Sequence, residues 1–235
     1  MPQGSEAFRY EFQPGIPLEA AAPGTNLLVS SPSGVLAREL ALDLLTAGSS
    51  AESLLLVAAD LGGRGLLERL DRPTRSVDRS RLGIVDCTGP GDRDEERFTT
   101  HAEPISNPGD LTGIEVEFSV LYEKIAATAD NVRIGLLSLS SLLAHASLRE
   151  VSRFVHMLTG RIIATDDLGV FAIDASLADD RTVETLSHFC DRHVRVRTGD
   201  DGGVELRVDE RTAESGAWTP LDHAVGGEDW DGASE

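Results

Sequence analysis

Short apolar runs along the chain alternate with longer segments in which apolar residues recur every three or four positions. The run at residues 53–58 is apolar after Ser53, which is typical of a strand buried on both faces of a parallel sheet, and residues 132–137 are predicted as another buried strand. Further strands are predicted at residues 26–30, 82–86 and 169–174. Helical spacing predicts helices at residues 35–46, 63–70, 114–129, about 148–158, and after the capping pair Asp179 and Asp180. This alternation predicts an α/β fold with a central, mostly parallel sheet.

The pattern changes near the end of the chain. Val194 and Val196 alternate with polar residues, a turn follows at 198–203, and the alternation resumes at 204–208. This arrangement predicts an antiparallel hairpin that closes the sheet. The predicted organisation is an irregular lead-in at residues 1–22, an α/β domain at 23–208 and a tail at 209–235.

Two segments have no hydrophobic period. Residues 88–112 combine glycine, proline and mixed charge and are predicted to form a long loop that is either functional or mobile. The acidic tail is predicted to be disordered, yet it contains both tryptophans, Trp218 and Trp230. Two interpretations stay open for residues 218–221: they dock on this domain or on a partner, or they form an ordinary extension with a loosely placed tryptophan.

Composition narrows the classes of function. The 235 residues include 21 basic and 40 acidic side chains, for a net charge of −19, and Lys124 is the only lysine. This surface is typical of a protein from a cytoplasm filled with molar salt, where the Debye length is about 3 Å and self-repulsion is screened. An acidic protein from an organism of moderate salt is the alternative. No basic stripe appears, which argues against nucleic-acid binding, because phosphate contacts need clustered cations.

The cysteine content and the apolar runs indicate the compartment. Cys87 and Cys190 lie far apart, no signal segment precedes them, and no apolar run is long enough to span a membrane. We therefore expect reduced thiols in a cytoplasmic protein without membrane contact.

The turn after the first predicted strand has the layout of a P-loop. That motif, Gly-x-x-x-x-Gly-Lys-[Ser/Thr], needs a lysine for the phosphates and a hydroxyl for the magnesium ion. Its eight positions fall on Ser31, Pro32, Ser33, Gly34, Val35, Leu36, Ala37 and Arg38. Ala37 stands at the lysine position and Arg38 at the hydroxyl position. The sequence therefore predicts the strand, turn and helix of a P-loop without the side chains that bind phosphate and magnesium.

The order of these parts resembles the RecA-type ATPase fold, and in particular its KaiC-like branch. The resemblance covers about residues 15–208 and rests on four segments: the lead-in Gly15-Ile16-Pro17-Leu18, the P-loop-like residues 27–34, the strand with its Ser-Leu-Ser continuation at 133–143, and the helix-forming residues 179–186. It implies a RecA-like three-layer sandwich with a C-terminal antiparallel hairpin.

The resemblance also locates the family's chemical groups. The aspartate that holds magnesium in the family's Walker B strand corresponds to Leu137, and the family's catalytic carboxylate corresponds to Asp60. One carboxylate without the lysine or a metal ligand cannot carry out phosphoryl transfer, which depends on positioning and on neutralising the developing charge. We therefore expect no metal site and no required cofactor.

Two interpretations remain open for Arg38. Its guanidinium group could replace both the lysine and the metal ion and bind ATP beside Asp60. Alternatively, Arg38 lies on the exposed face of its helix and pairs with Asp43 or another nearby acid.

Other candidate sites lack part of the required chemistry. Residues 188–193 place two histidines and a cysteine close together, but a zinc site needs a fourth ligand. Ser138 or Ser140 could act as a nucleophile after a strand, although the Gly-x-Ser-x-Gly elbow is missing. Cys87 ends a strand at the edge where α/β sheets bind ligands, and it is either a reactive thiol or a buried, inert one.

These observations favour a catalytically inactive relative of KaiC-like ATPases from a halophilic archaeon. We expect it to regulate or scaffold by binding a copy of itself, an active family member or a signalling protein. The alternative is an atypical ATP-binding protein with weak NTPase activity that uses Arg38 and Asp60.

Overall fold

A computed structural model describes residues 8–48, 51–75, 77–88, 105, 107–211, 216–222 and 225. The strands within these residues are β1 (Asn26–Ser31), β2 (Glu52–Ala58), β3 (Leu82–Asp86), β4 (Asn131–Leu136), β5 (Leu168–Asp174), β6 (Arg192–Thr198), β7 (Val204–Glu210) and β8 (Thr219–Pro220). The helices are α1 (Gly34–Leu45), α2 (Gly63–Leu70), α3 (Leu111–Ala126), α4 (Leu139–His145), α5 (Leu148–Ala164) and α6 (Asp180–Ser187), with a 3₁₀ turn at Arg79–Arg81.

The strands form a single sheet in the order β3-β2-β4-β5-β1-β6-β7-β8. Strands β1 to β6 are parallel, whereas β7 pairs antiparallel with β6, and β8 pairs antiparallel with β7. Helices α1 and α2 pack on one face of the sheet, and helices α3 to α6 pack on the other. The predicted α/β fold, with its mostly parallel sheet and C-terminal hairpin, is confirmed.

Strand β1 lies inside the parallel part of the sheet, between β5 and β6. Leu27 and Val29 belong to the core beneath α1, whereas Leu28 belongs to the core on the opposite face. Burial on both faces explains why the centre of β1, Leu27-Leu28-Val29, is apolar at consecutive positions. Because the strands are parallel, the carboxyl ends of β1, β2, β4 and β5 lie at one edge of the sheet.

Helix α1 also carries buried charge. The Glu39 and Asp43 side chains are fully buried, as is that of Arg75, which follows α2. Arg75 donates from Nε to Asp43 and from Nη2 to Glu39, at 2.8 Å each, and Arg69 and Arg72 also bind Glu39. The polar face of α1 is therefore covered by arginines of α2 and of the segment after it.

Helix α4 does not appear among the predicted elements. The Ser138 side chain accepts a hydrogen bond from the Ser141 N–H at 3.2 Å and caps the helix. The helix has only seven residues, of which Leu139 and Leu142 are buried. Such a short segment is not long enough to display a helical period.

Strand β7 extends past the predicted start of the tail. The boundary between residues 208 and 209 falls inside β7, because pairing with β6 continues to Glu210. Beyond it, β8 pairs with β7, and the Trp218 ring lies 4.0 Å from the Arg197 guanidinium and 5.2 Å from that of Arg207. Residues 218–221 thus dock on this domain, whereas Trp230 lies outside the described residues.

The long loop predicted at 88–112 lies mostly outside the described residues. Within its described part, helix α3 begins at Leu111, where the Asp110 side chain accepts from the Gly113 N–H at 2.9 Å. The predicted helix at 114–129 is therefore shifted by one turn toward the amino terminus.

Candidate functional site

A cavity of about 340 Å³ opens at the carboxyl edge of the parallel strands. It is lined by the start of α1, the loop after β2, helix α4 and the end of β5, which contribute Gly34, Val35, Arg38, Asp60, Leu137, Ser138, Ser140, Ser141, Ala144, Ala172, Ile173, Asp174 and Leu177. Ligands of open α/β sheets bind outside this edge. The structure therefore brings together Gly34, Arg38 and Asp60, which the sequence singles out.

Two backbone N–H groups at the turn between β1 and α1 donate to serine side chains of the same turn. The Ser33 N–H donates to Ser31 Oγ at 3.1 Å, and Ser33 Oγ caps α1 by accepting from the Leu36 N–H at 3.4 Å. Pro32 is exposed and has no N–H to offer. Backbone N–H groups in such a turn are the donors that a P-loop uses for phosphate, and here two of them already have side-chain acceptors.

The next N–H of this turn is bound by a carboxylate. Gly34 donates to Asp174 Oδ2 at 3.1 Å, and Asp174 Oδ1 accepts from the N–H and the hydroxyl of Ser176 at 2.8 and 2.6 Å. The main chain of Asp174 is held separately, because its N–H donates to Ser140 Oγ at 2.9 Å. A Cβ atom at Gly34 would lie 2.6 Å from Asp174 Oδ2, so the carboxylate occupies its position only because residue 34 is glycine.

Arg38 and Asp60 form an ion pair at the cavity wall. Arg38 Nη1 lies 2.5 Å from Asp60 Oδ2, and the two side chains are 10% and 28% exposed. The expectation that Arg38 lies on an exposed helix face is wrong, because α1 is buried from Leu36 to Leu45, whereas the expectation that it pairs with a nearby acid is confirmed by Asp60. Asp43 is bound by Arg75 at 2.8 Å.

The arginine in this ion pair is only partly satisfied. Arg38 Nε is buried and has no hydrogen-bond partner among the described residues. The two groups that could serve a nucleotide, a cation and a carboxylate, thus bind each other.

These residues do not fit a magnesium–ATP complex. At the position implied for the magnesium aspartate, Leu137 is buried and its N–H donates to the Val57 carbonyl at 3.2 Å. Within the described part of the chain, no three His, Cys, Asp or Glu side chains form a group that could hold a metal ion. The cavity carboxylates of Asp60 and Asp174 already bind Arg38 and Gly34, respectively.

The two histidines and the cysteine at residues 188–193 do not come together as metal ligands. His188 is exposed, whereas Cys190 and His193 are buried. Burial raises the pKa of Cys190, and burial next to Arg195 lowers the pKa of His193 to about 4. The neutral His193 ring forms a 2.7 Å hydrogen bond with Ser30 Oγ, so it serves the packing of β1 against β6.

The remaining nucleophile candidates have structural roles. Ser138 caps α4, and Ser140 binds the main chain of Asp174. Cys87 is fully buried, and burial next to Asp86 raises the pKa of its thiol to about 12. This agrees with the inert interpretation of Cys87, because the thiolate is the reactive form.

The sequence pattern did not single out Asp174, whose carboxylate accepts from the Gly34 N–H at the start of α1. A signal was present: Asp174-Ala175-Ser176 follows a buried strand, and an aspartate followed two residues later by serine or threonine commonly forms a local turn. Asp86-Cys87-Thr88 has the same pattern after β3, and there too the aspartate accepts from the N–H and hydroxyl two residues on.

Comparisons with known proteins agree with this geometry at the level of the fold. The model of DUF7504, described as a family of unknown function, matches residues 24–196. A similar solved structure is the KaiC-like protein PH0186 from the hyperthermophilic archaeon Pyrococcus horikoshii OT3, with a TM-score of 0.57, 11% identity and 84% of each chain covered. No curated protein matches the chain. No helix within the described residues is long and apolar enough to cross a membrane.

Proposed function

The chain belongs to the DUF7504 family, and we propose that it is a non-catalytic member of the KaiC-like structural group that regulates or scaffolds by binding other proteins. The observation that carries the proposal is the ion pair of Arg38 with Asp60. The guanidinium that would have to bind phosphate and the carboxylate that would have to act in catalysis neutralise each other.

The chemistry of phosphoryl transfer supports this proposal. The reaction requires cations that stabilise charge on the transferred phosphoryl group, and loss of one such group commonly costs several orders of magnitude in rate. In this chain Ala37 replaces the lysine and Leu137 replaces the magnesium-holding aspartate. The one arginine of the cavity already has an anionic partner.

The mouth of the cavity offers apolar contact area for a protein. Leu177 is 75% exposed and Val35 is 41% exposed, and both line the cavity. Contiguous exposed apolar patches mark interaction surfaces, and we propose that Leu177 and Val35 belong to such a patch. We infer that this edge of the sheet receives a second copy of the chain, an active relative or a signalling protein.

The net charge of −19 bears on the salt concentration at which the protein would bind its partners. We propose a cytoplasmic protein of a halophilic archaeon, since dense surface carboxylates are compatible with a compact fold when salt screens their repulsion. The same charge disfavours nucleic acid as a partner.

A thermal titration tests the proposal. The midpoint of unfolding is measured in molar KCl with increasing ATP, with and without magnesium. Because a ligand that binds only the folded state raises the midpoint by mass action, we expect an unchanged midpoint up to millimolar ATP. A saturable rise would contradict the proposal.

One observation favours a second function, namely that Arg38 and Asp60 line the same cavity. If ATP displaced Asp60 from Arg38, the chain would be a weak, metal-independent nucleotide binder. In that case the wild type shows the thermal shift and Arg38→Ala abolishes it. A shift that persists in Arg38→Ala would exclude this role for the arginine.

A further inference from the structure

We propose that the outer edge of β7 is a binding site for an extended segment of another protein, and that residues 216–221 of this chain occupy the site. These residues, here called the C-terminal strap, include β8. Segments that add a strand to a sheet edge gain affinity from main-chain hydrogen bonds and specificity from alternate side chains. The inference deepens the proposed function, on which it rests, by naming a second surface and the chemistry of the protein that it binds.

Main-chain hydrogen bonds hold the C-terminal strap along β7. The Leu221 N–H donates to the Val204 carbonyl at 2.8 Å, and the Gly216 N–H donates to the Val208 carbonyl at 3.1 Å. Between these bonds, β8 pairs antiparallel with β7. The edge of β7 therefore accepts a strand from residue 204 to residue 208.

Side chains of the strap lie on both faces of the sheet. The centre of the Trp218 ring lies 4.0 Å from the guanidinium carbon of Arg197 and 5.2 Å from that of Arg207. Leu221, three positions later, packs against the core beneath α1, on the opposite face. The strap therefore indicates the pattern that the edge selects, an aromatic residue followed three positions later by an aliphatic one.

The two arginines that contact Trp218 have carboxylate partners of their own. Arg197 donates from Nη2 to Glu205 Oε2 at 3.0 Å, and Arg207 forms an ion pair with Asp209 at 3.2 Å. Their charges stay paired when the Trp218 ring leaves. An aromatic side chain of another protein can thus replace Trp218 without leaving either guanidinium group unpaired.

Pro220 makes β7, and not the strap, the edge that receives a partner strand. Because Leu221 donates to β7, the backbone nitrogen of the preceding Pro220 is directed away from β7 in the antiparallel ladder. Proline has no N–H to donate on that side. A partner strand therefore gains more hydrogen bonds by replacing the strap on β7 than by adding to its outer side.

The test measures the binding of a dye-labelled synthetic peptide with the sequence of residues 216–221 to the full chain in molar KCl, by fluorescence anisotropy. In the wild type the strap competes with the peptide from within the same chain. Trp218→Ala weakens the strap and leaves β7 unchanged. We expect Trp218→Ala to bind the peptide about tenfold more tightly than the wild type, since it loses one cation–π anchor.

Two controls locate the binding at this edge. Trp230→Ala removes the other tryptophan and keeps the strap, so it should bind the peptide like the wild type. Arg197→Met, added to Trp218→Ala, removes the guanidinium group that the peptide tryptophan would contact. We expect this double variant to lose the gain in affinity.

Each other outcome contradicts the inference. Equal affinity of the wild type and Trp218→Ala would show that the strap does not occupy the peptide's site. No binding by a folded Trp218→Ala variant at millimolar peptide would show that β7 accepts no strand from another molecule, while a flat ATP titration would still support the proposed function. A wild-type dimer, detected by light scattering and lost in Trp218→Ala, would identify a second copy as the occupant in place of another protein.

Trp218→Leu, which keeps apolar volume without an aromatic ring, replaces Trp218→Ala if that variant does not fold. Failure of both variants to fold would also contradict the inference, because a strap that a partner displaces cannot be required for folding.

Discussion

Two buried arginines contact helix α1 and its surroundings in different ways. Arg75, which follows α2, has a fully buried side chain and donates to Asp43, to Glu39 and to the carbonyls of Glu39 and Arg69. Arg38, at the cavity, makes an ion pair with Asp60, and its Nε has no hydrogen-bond partner among the described residues.

This difference separates charge that maintains the fold from charge at the wall of the cavity. Buried ions are tolerated when their hydrogen-bonding groups are satisfied, and breaking such a pair leaves an uncompensated charge in the interior. Arg75 meets this condition closely. Arg38 meets it less well, and its partner Asp60 is 28% exposed.

The largest effect is expected for Arg75→Met. The change removes the donors that Arg75 gives to the fully buried carboxylates of Asp43 and Glu39, and Glu39 keeps Arg69 and Arg72. We expect a loss of about 3–5 kcal/mol in the free energy of unfolding, measured by urea denaturation in molar KCl. The control is Arg64→Met, since Arg64 pairs with Glu68 at the surface and should contribute under about 1 kcal/mol. Equal losses in the two variants would contradict the comparison.

The second largest effect is expected in the stability at low pH, because the buried His193 side chain is neutral in the folded state. His193 faces Arg195, Arg207 and Asp209, and burial lowers its pKa from 6.5 to about 4. Between these pH values the unfolded state binds a proton that the folded state does not, so stability is complete above pH 6.5 and falls as the pH approaches 4. The loss should be about 3 kcal/mol.

The control for this titration is the exposed His145, which bonds to the Ser141 carbonyl. We expect His193→Gln to flatten the pH dependence relative to the wild type and His145→Gln to leave it unchanged. An identical pH profile for wild type and His193→Gln would show that this histidine is not kept neutral by the fold.

Arg38→Met should cost less than Arg75→Met. Its partner Asp60 can be hydrated after the change, because more than a quarter of its side chain is exposed. We expect a loss of about 1–2 kcal/mol by the same urea measurement. A loss as large as that of Arg75→Met would place Arg38 among the structural arginines and remove the distinction drawn above.

The smallest effect is expected for Gly34→Ala, which places a methyl group against the Asp174 carboxylate. We expect a loss of about 1 kcal/mol. The matched control is Gly160→Ala in α5, where a Cβ atom meets nothing within 4 Å and alanine should stabilise by about 0.5–1 kcal/mol. In the Asp174→Ala background the cost of Gly34→Ala should disappear, and an undiminished cost would show that the carboxylate is not the cause.

The fold could be predicted from the sequence because strands that are buried on both faces appear as short apolar runs. The run Leu54-Leu55-Leu56-Val57 predicts a buried strand wherever it pairs, and β2 occupies residues 52–58. Helix α4 was missed because its seven residues, Leu139–His145, are too few to display a helical period.

Only part of the candidate site could be predicted from the sequence. Residues 31–38 showed which chemical groups of a P-loop are missing, since that is a property of residue types. The partner of Arg38 depends on where the loop after β2 places Asp60, 22 residues further along the chain. The contact between Gly34 and Asp174 spans 140 residues and depends on β1 lying next to β5, which local patterns do not specify.

The central claim is that Arg38 is bound to Asp60 and unavailable to a nucleotide. Equilibrium dialysis with labelled ATP and magnesium in molar KCl tests it most directly, on the wild type and on Asp60→Asn, which frees the guanidinium from its anionic partner. The account predicts no saturable binding to the wild type at millimolar ATP and any gain of affinity only in Asp60→Asn. Saturable binding of one ATP per wild-type chain would contradict it.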